Sequence, residues 1–346
     1  MPSIVRLKMT AFTNGRDNPS ARFRIRQHIP SLSELGVDII EHESRWSGRL
    51  GQDTATTIGN AGFAIAHRVC DLVRSYKVSG SLFQRWMLSH FPTLEFAARK
   101  PRVLDVDDAI WQDSGPATTR WLASRCAGVI CGNSFLASRF SEWNSNIAVI
   151  PTAVDTSRFL PGNPHAAHGP QIICWSGSAS TLRYLYEIER ALARALHCNP
   201  QAKLRVMCNV PPTFAQIPAS RTEYLEWSIG QEVGAIQGCT VGIMPLEDSE
   251  WARGKCSFKM LCYMACGIPV VVSPIGTNSE VLALGEVGLA AKSENDWVNA
   301  LDFILKHPNK GGEMGRKGRA LVDAHYSVRA VTPRLAEALR RFTDFA

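Results

Sequence analysis

Residues 241–275 read VGIMPLEDSEWARGKCSFKMLCYMACGIPVVVSPI. Their first four residues form an apolar run that stops at a proline, which is typical of a buried strand. After a basic loop, residues 258–265 have the length and apolar content of a short helix. Residues 268–273 add a run of valines, which predicts a strand buried on both faces, as in a parallel sheet. A strand, a helix and a second buried strand in close order predict an α/β fold.

The loop inside this stretch concentrates positive charge. Arg253, Lys255 and Lys259 lie within seven positions. Lys255 and Lys259 are four residues apart, so on one helix face they repel each other unless an anion sits between them. The loop is therefore either an anion-binding element or a solvated basic loop, and its residues alone leave both interpretations open.

The alternation of strands and helices extends outward from this stretch over most of the chain. The pattern predicts further strands at 4–12, 37–41, 81–83, 102–106, 128–131, 147–150, 172–175 and 203–208. It predicts further helices at 20–35, 58–75, 118–127, 133–143, 182–196, 297–305 and 328–342. Strands that alternate with helices indicate doubly wound parallel sheets.

Length and a break in the pattern predict two Rossmann-like domains that face each other across a cleft. A chain of 346 residues suits two domains of roughly 150 to 180 residues each. Four prolines and two glycines between residues 151 and 170 indicate a linker. We predict a first domain at 1–155, a linker at 156–170, a second domain at 171–325 and a C-terminal helix at 326–346. That basic, amphipathic helix is either a surface helix or a brace that returns to the first domain.

Composition excludes several classes of protein. With 45% apolar and 20% charged residues, the chain has a globular profile and not a disordered one. It shows no signal-peptide h-region and no stretch approaching the roughly 18 apolar residues of a spanning helix, so we expect a cytoplasmic protein. Ten cysteines include no CxxC pair, and the group Cys256, Cys262 and Cys266 lacks the spacing of a zinc site. We expect reduced thiols, no bound metal and no cofactor.

The net charge is +7 and leans toward the first half, with +5 on residues 1–160 and +2 on residues 161–346. A basic surface suits the phosphates of a small ligand, an anionic membrane or a nucleic acid. Nucleic acid is disfavoured because the basic residues lack an interleaved aromatic platform or a known binding module.

Three loops have the position in which open α/β sheets bind ligands, beyond the carboxyl ends of strands. They cover residues 13–16, 105–111 and 175–180. The third, WSGSAS, is small and rich in hydroxyls, so the backbone amides of Gly177 and Ser178 are candidates for contacting a phosphate. It is neither a Rossmann GxGxxG nor a Walker motif, and a simple tight turn is the alternative.

Several stretches resemble successive landmarks of one family, the family-four glycosyltransferases with the two-Rossmann architecture called GT-B. The resemblance follows the chain in order over about residues 4–330. Besides 241–275 it is carried by TNGRDNPSARFRIRQHIPSL at 13–32, RVLDVDDAIW at 102–111, VICGNSFLASRF at 129–140, VIPTAVDTSRF at 149–159 and CWSGSASTLRYL at 174–185.

The resemblance implies transfer, with retention and without a metal, of a sugar from a nucleoside-diphosphate sugar to a hydroxyl acceptor. The acceptor would be a glycan, a lipid-linked molecule or a small molecule. Lys255 and Arg253 would neutralise the leaving diphosphate, whose charge grows in the transition state. The same donor segment would bind through Cys256, Ser257 and Lys259.

Two glutamates, eight residues apart in many family members, are absent from the donor segment. The matching positions hold Gly254 and Cys262, as in a subgroup with GKC at this place. Their absence puts the usual ribose contact in doubt. Glu280, on the loop after the buried strand, is a candidate for binding a sugar hydroxyl, and a helix-start carboxylate is the alternative.

In the first domain, Asp107 and Asp108 match the position where related enzymes place a polar residue beside the reacting sugar. They either orient a hydroxyl there or cap the next segment. Asn14, Gly15 and Arg16 match the family's first-strand loop, which closes over donor and acceptor.

Arg22 and Arg24 are candidates for binding an anionic acceptor, because a guanidinium binds phosphate or carboxylate in bidentate fashion. Together with Arg26 they occupy alternating positions, which on a helix spreads them around the axis. At least one of them is therefore expected to be structural.

Two competing hypotheses remain. The missing glutamates suit a sugar-nucleotide-binding protein without catalysis, and a nucleotide-sugar epimerase would use the same architecture. A phosphorylase is disfavoured because neither a lysine for pyridoxal phosphate nor a second phosphate site is recognisable in the sequence. A glycoside hydrolase is disfavoured because adjacent carboxylates such as Asp107 and Asp108 point apart. Residues 86–96 are either core or a surface for peripheral contact with the inner face of a membrane.

Overall fold

The computed structural model describes residues 6–16, 18–44, 54–87, 94–162 and 170–344, with the side chains of 54–61 outside that description. None of the helices in these ranges has the length and apolar character needed to cross a membrane.

Two compact units divide the chain. The first unit takes residues up to Ala153, the three residues 254–256 and the segment from Val328 onward. The second unit takes residues 154–253 and 257–327. The chain therefore leaves the second unit at Gly254 and re-enters it at Ser257, a division that the sequence pattern did not predict.

A parallel sheet of six strands forms the centre of the described part of the first unit. Its strands are β1 (Leu7–Thr13), β2 (Val37–Glu43), β3 (Gly80–Gln84), β4 (Arg102–Val106), β5 (Gly128–Cys131) and β6 (Ile147–Val149). They pair in the order β2-β1-β3-β4-β5-β6. In this register Met9 lies between Ile39 and Gly80. β3, β4 and β5 are buried throughout, as expected for strands covered on both faces.

Helices connect these strands. They are α1 (Ile29–Glu34), α2 (Thr54–Ser75), α3 (Trp111–Ser114), α4 (Pro116–Ala123) and α5 (Ser134–Ser141). The side chain of Asn133 caps α5 by accepting a hydrogen bond from the Leu136 amide at 2.8 Å, which satisfies one of the unpaired amides of the first turn.

The second unit contains a parallel sheet of the same size within its described residues. Its strands are β7 (Gln171–Ser176), β8 (Ala202–Cys208), β9 (Thr222–Glu226), β10 (Val241–Met244), β11 (Val270–Val272) and β12 (Gly288–Ala290). They pair in the order β12-β11-β10-β7-β8-β9. The valines of β11 are fully buried, as the valine run predicts.

Helices cover both faces of this second sheet. They are α6 (Leu182–Glu187), α7 (Glu189–Cys198), α8 (Glu232–Gln237), α9 (Glu250–Arg253), α10 (Phe258–Ala265), α11 (Thr277–Leu282), α12 (Glu294–Lys306) and α13 (Pro308–His325). One core cluster contains α10 and another contains α7 and α12, which places apolar side chains on the two opposite faces.

The C-terminal helix α14 (Val328–Asp344) packs on the first unit. Its buried Val331, Leu335, Leu339 and Phe342 recur every three to four residues and join the core that contains Met9. A side chain at Gly128 would place its Cβ 2.3 Å from the Phe342 ring. Of the two interpretations of this helix, the structure shows the brace.

Two long helices expected from the sequence are interrupted. Residues 20–35 form a π-helix at Ala21–Ile25, a 3-10 turn at Arg26–His28 and then α1. Pro30 has no N–H for the bond that would continue one regular helix into this turn. The helix expected at 182–196 breaks at Ile188 into α6 and α7, and no Gly or Pro marks that position.

Candidate functional site

The site in the first unit lies at the point where the order of the strands reverses. β1 lies between β2 and β3, and ligands of open α/β sheets bind beyond the carboxyl ends of strands at such a switch point. Asn14 follows β1, and Gln84 ends β3. The Asn14 Nδ2 atom donates to Gln84 Oε1 at 3.4 Å, so the two strand ends contact each other.

Arg85, which no sequence pattern singled out, lies beside both carboxylates that follow β4. Its Nε donates to Asp107 Oδ1 at 2.7 Å. A terminal nitrogen donates to Asp108 and, at 2.8 Å, to the Ser20 hydroxyl. The φ angle of Arg85 is +60°, a left-handed conformation that is uncommon outside glycine and concentrates at functional sites.

The fork of Arg85 keeps Asp107 ionised. Burial acts to raise the pKa of Asp107, but the attraction of Arg85 and its hydrogen bond outweigh burial and leave the pKa below its usual value. Asp107 is thus a fixed negative charge at the carboxyl end of β4.

Residues 254–256 bring Lys255 to the same cluster. Lys255 Nζ lies 3.7 Å from Asp108 Oδ1. The Asn133 side-chain amide donates to the carbonyl oxygens of Gly254 and Lys255, each at 3.2 Å. The cap of α5 therefore also fixes the backbone that carries Lys255.

The Cys256 thiol completes this contact as a packed, neutral group. Its Sγ donates to the carbonyl oxygen of Asp107 at 3.3 Å. A Cβ at Gly132 would lie 2.2 Å from Cys256 Sγ, so the absence of a side chain at Gly132 makes room for the sulfur. Burial holds the pKa of Cys256 well above its usual value, which makes the thiol a poor nucleophile.

Arg24 has a different environment from the one expected of an acceptor-binding residue. Its guanidinium forms a bidentate pair with Asp105 at 2.7 and 3.0 Å and donates to the Ile150 carbonyl oxygen at 2.7 Å. Both side chains of the pair are 2% exposed or less. This geometry is that of a structural ion pair that joins the π-helix to β4 and to the end of β6, and an acceptor role for Arg24 stays a prediction.

The remaining candidates of the first unit are Arg22, Gly15 and Arg16. Arg22 is buried, with its guanidinium 4.6 Å from the centre of the Phe23 ring. Gly15 is half-buried and Arg16 is exposed on the loop after β1. Their predicted roles in binding donor or acceptor stay predictions.

The second unit has its own switch point at β7, which lies between β10 and β8. The loop after β7, residues 177–181, overlaps the small hydroxyl-rich loop predicted at 175–180. Ser178 and Thr181 form a reciprocal capping box at the turn that leads into α6.

Backbone amides of this loop already have acceptors inside the second unit. Ser176 N–H donates to the Tyr263 hydroxyl at 2.8 Å, and Gly177 N–H donates to the Met207 carbonyl at 2.9 Å. Ser178 N–H donates to Thr181 Oγ1 at 3.1 Å, and Ala179 N–H donates to Asn209 Oδ1 at 2.8 Å. This geometry argues against phosphate binding by the amides of Gly177 and Ser178 in the described conformation, and leaves side chains as the binding groups.

Lys259, on α10, places its ammonium group beside this loop. Its Nζ lies 4.8 Å from the centre of the Trp175 ring and 3.4 Å from Thr181 Oγ1. An ammonium over an indole face is a cation–π contact. Lys259, on α10, is therefore held beside the hydroxyls of the loop.

Comparisons with known proteins agree with this arrangement of two parallel sheets. The crystal structure of Anabaena HepE in complex with UDP and glucose is similar with a TM-score of 0.70 and 15% identity, covering 96% of this chain and 100% of that chain. Sucrose-phosphate synthase from Thermosynechococcus elongatus is similar with a TM-score of 0.70 and 15% identity, covering 99% and 100%. These neighbours are glycosyltransferases built from two Rossmann-like domains. The chain has the GT-B fold.

Sequence comparisons point to the same class of protein. Residues 189–337 match the family described as glycosyl transferase-like. A D-inositol 3-phosphate glycosyltransferase from Gordonia bronchialis is 33% identical over 84 residues, which are 24% of this chain and 18% of that enzyme. The aligned region thus spans about a fifth of the length of this curated relative.

The segment 241–275 of this GT-B chain has no room for a glutamate at position 254. A Cβ at Gly254 would lie 2.9 Å from both the backbone nitrogen and the Cβ of Ala109. At the second of the two positions, Cys262 is buried inside α10. The absence of both glutamates is therefore consistent with how these two positions pack.

Three further residues predicted to bind the donor, Arg253, Ser257 and Glu280, lie within the second unit. Arg253 pairs with Asp248 at 2.8 and 3.1 Å, and Ser257 Oγ donates to Asn278 Oδ1 at 2.6 Å. Glu280 is exposed in the first turn of α11. Their donor-binding roles, and the catalytic role of Arg253, stay predictions.

Proposed function

We propose that this chain is a glycosyltransferase that moves a sugar from a nucleoside-diphosphate sugar to a hydroxyl acceptor. One observation carries the proposal most directly. Asp107, Asp108, Arg85 and Lys255 converge at the carboxyl end of the first sheet, and Lys255 comes from a segment inserted between two stretches of the second unit. Similarity to glycosyltransferases, including a structure with bound UDP and glucose, supports the same function.

In this proposal Lys255 acts on the leaving group. Negative charge accumulates on the diphosphate as the glycosyl bond breaks, and a fixed cation stabilises the transition state more than the ground state. Lys255 is preorganised for this role, because Asn133 holds its backbone and Asp108 lies beside its ammonium. For the second unit taken by itself, we propose donor binding by Arg253, Lys259 and the hydroxyl of Ser178.

Asp107 and Asp108 act on the sugar or on the acceptor hydroxyl. A carboxylate kept ionised by Arg85 accepts a hydrogen bond from a hydroxyl and stabilises positive charge on an oxocarbenium-like sugar. In the Asp107→Asn variant we expect turnover to fall by roughly tenfold or more, with little change in donor affinity. A full rate with every accepted donor would refute the role of Asp107.

We further propose retention of configuration, independence from a metal and membership of family four with its GKC subgroup. Basic side chains that neutralise a diphosphate take over the role of a divalent cation. The acceptor is a glycan, a lipid-linked molecule or a small molecule, and the reaction takes place in the cytoplasm. Product anomers followed by NMR test retention, and activity in EDTA tests metal independence.

Nucleotide release tests the proposal as a whole. The purified chain is incubated with uridine, guanosine and thymidine diphosphate sugars, with and without simple hydroxyl acceptors, and the released nucleotide is measured. Release from at least one donor supports a transferase. Binding of a donor without release indicates an inactive binding protein, and conversion of the donor to its epimer, seen by NMR, indicates an epimerase.

A further inference from the structure

The longest described helix of the first unit, α2, buries polar side chains as well as apolar ones. Among the described side chains of α2, Arg68, Asp71 and Ser75 are buried at 1% exposure or less. On an ordinary surface helix the buried stripe is apolar. In α2 the polarity of the two faces is partly inverted.

The buried polar face has a structural function. Arg68 donates to the carbonyl oxygens of Thr13, His42 and Met87 at 2.6 to 3.2 Å. These carbonyls lie at the ends of β1 and β2 and just beyond β3. Arg68 thus links the ends of β1 and β2 to the segment that follows β3.

The exposed side of α2 carries an apolar stripe. Ile65, Val69, Val73 and Tyr76 are 45%, 45%, 66% and 58% exposed. At 100° per residue they fall within about 80° of arc and extend along about 16 Å of the helix and the turn that follows it. Phe96, 57% exposed, lies near its end, because the Tyr76 hydroxyl donates to the Ala97 carbonyl at 2.9 Å.

Cations without exposed carboxylates border this end of the stripe. Lys77, Arg99 and Lys100 are exposed, and the Arg99 amide donates to Ser75 Oγ at 3.2 Å, which places it at the end of α2. Within residues 62–87 and 94–101 the acidic residues are Asp71 and Glu95, and both are fully buried.

We propose that this α2 stripe is a docking surface for an anionic lipid membrane. Aliphatic and aromatic side chains enter the headgroup boundary while bordering lysines and arginines contact lipid phosphates. A protein partner of the same charge pattern would need an acidic apolar surface, whereas an anionic bilayer supplies both features at once. The inference does not depend on the proposed sugar transfer.

The membrane surface predicted at residues 86–96 stays a prediction beside this one. Trp86 and Met87 are buried, and residues 88–93 lie outside the described residues. Of that stretch, Phe96 is exposed and adjoins the α2 stripe.

Vesicle co-sedimentation tests the proposal with the full chain. We expect binding to vesicles of phosphatidylglycerol and phosphatidylcholine, weaker binding at high salt, and little binding to phosphatidylcholine alone. The Val69→Asp/Val73→Asp variant should lose at least tenfold in binding. Lys77→Gln should lose about fivefold, as expected for one cation near an anionic surface.

Leu284→Asp is the matched control, because Leu284 is 56% exposed in the second unit and its substitution should leave vesicle binding unchanged. If the double aspartate variant fails to fold by circular dichroism, Val69→Ser/Val73→Ser replaces it. Nucleotide release from a soluble donor, if present, should be the same in all variants, which separates this surface from the proposed reaction.

Three outcomes would overturn the proposal. They are absence of binding to anionic vesicles, equal binding by wild type and the valine variants, and a concentration-dependent dimer that the valine variants abolish. The last result, seen by light scattering, would assign the stripe to a second copy of the chain.

Discussion

The carboxyl ends of the two sheets are built from different materials. In the first unit, charged side chains contact one another: Arg85 holds Asp107 and Asp108, and Lys255 lies beside Asp108. In the second unit, the backbone amides of a loop of small residues donate hydrogen bonds to neutral groups such as the Tyr263 hydroxyl. In the first unit, removal of one charged side chain leaves the oppositely charged side chain without its ion pair. In the second unit, removal of a neutral acceptor leaves a backbone amide of the loop without its hydrogen bond.

The largest expected effect separates structural from functional charge within the first unit. Arg24→Met leaves Asp105 buried without its cation and should lower the free energy of unfolding by about 3–5 kcal/mol, measured by urea denaturation. Arg26→Met is the control, because its pair with Glu41 is partly exposed and should be worth about 1 kcal/mol or less. Unchanged stability with a raised KM for the acceptor would instead make Arg24 a binding residue.

The next effect tests whether Lys255 works on the donor. Lys255→Ala should lower turnover by roughly 100-fold or more, the loss expected for one preorganised group at a developing charge. Lys203→Ala, an exposed lysine on β8, should have no effect. Equal loss in both variants, or none in either, would remove Lys255 from the mechanism.

A substitution of Asp108, the carboxylate beside Lys255, tests the same role of Lys255 through an increase in affinity instead of a loss. Asp108→Asn removes a carboxylate 3.7 Å from the Lys255 ammonium, so affinity for UDP by calorimetry should rise several-fold while turnover falls. Weaker UDP binding would show that Asp108 and the diphosphate do not compete for this cation.

In the second unit, Tyr263→Phe leaves the Ser176 amide without its acceptor. Because Ser176 is half-buried, the lost hydrogen bond should cost about 1 kcal/mol, and we expect a lower melting temperature together with weaker donor binding. Tyr76→Phe, whose hydroxyl is at an exposed hydrogen bond, should change both quantities less. Identical behaviour of the two variants would mean that the Tyr263 hydroxyl does not hold the loop.

The smallest expected effect concerns pH. Burial, with Arg24 nearby, lowers the pKa of His28 to about 3, below the value of about 6.5 in an unfolded chain. The unfolded state therefore binds the proton first as pH falls, so this stability is complete above pH 6.5 and declines below it. From pH 7 to 5.5 we expect a loss of about 1 kcal/mol that His28→Gln abolishes, measured by urea denaturation at each pH. An equal decline in the variant would assign the acid sensitivity to other groups.

Much of the fold follows from local apolar pattern. The strand predicted at 102–106 is β4 to the residue, because its apolar run is bounded by a proline before it and by aspartates after it. β9 and β12 were missed because neither has a continuous apolar run: β9 reads TEYLE, and β12 has the three residues GLA. Short or alternating segments lack the apolar run on which such a prediction depends.

The sequence predicts a site residue only where that residue directly follows a recognisable strand. Asp107 and Asp108 follow a buried strand, so the end of the sheet was a sound expectation. Arg85 follows one as well, but its left-handed backbone and its fork across two carboxylates are tertiary features. The hydrogen bonds of the amides at the end of β7 and in the loop after it likewise depend on Tyr263 and Asn209, which are distant in sequence.

The contact between Gly132 and Cys256 sets a tolerance for the first-unit cluster. A single methyl group at Gly132 would occupy the place of the Cys256 sulfur, so the lysine next to that cysteine would have to shift with it. The position of the Lys255 ammonium thus depends on the volume of the residue at position 132, a glycine with no functional group. Gly132→Ala paired with Cys256→Ala, which exchanges a sulfur for a methyl across the contact, is a way to tune that reach by steric bulk alone.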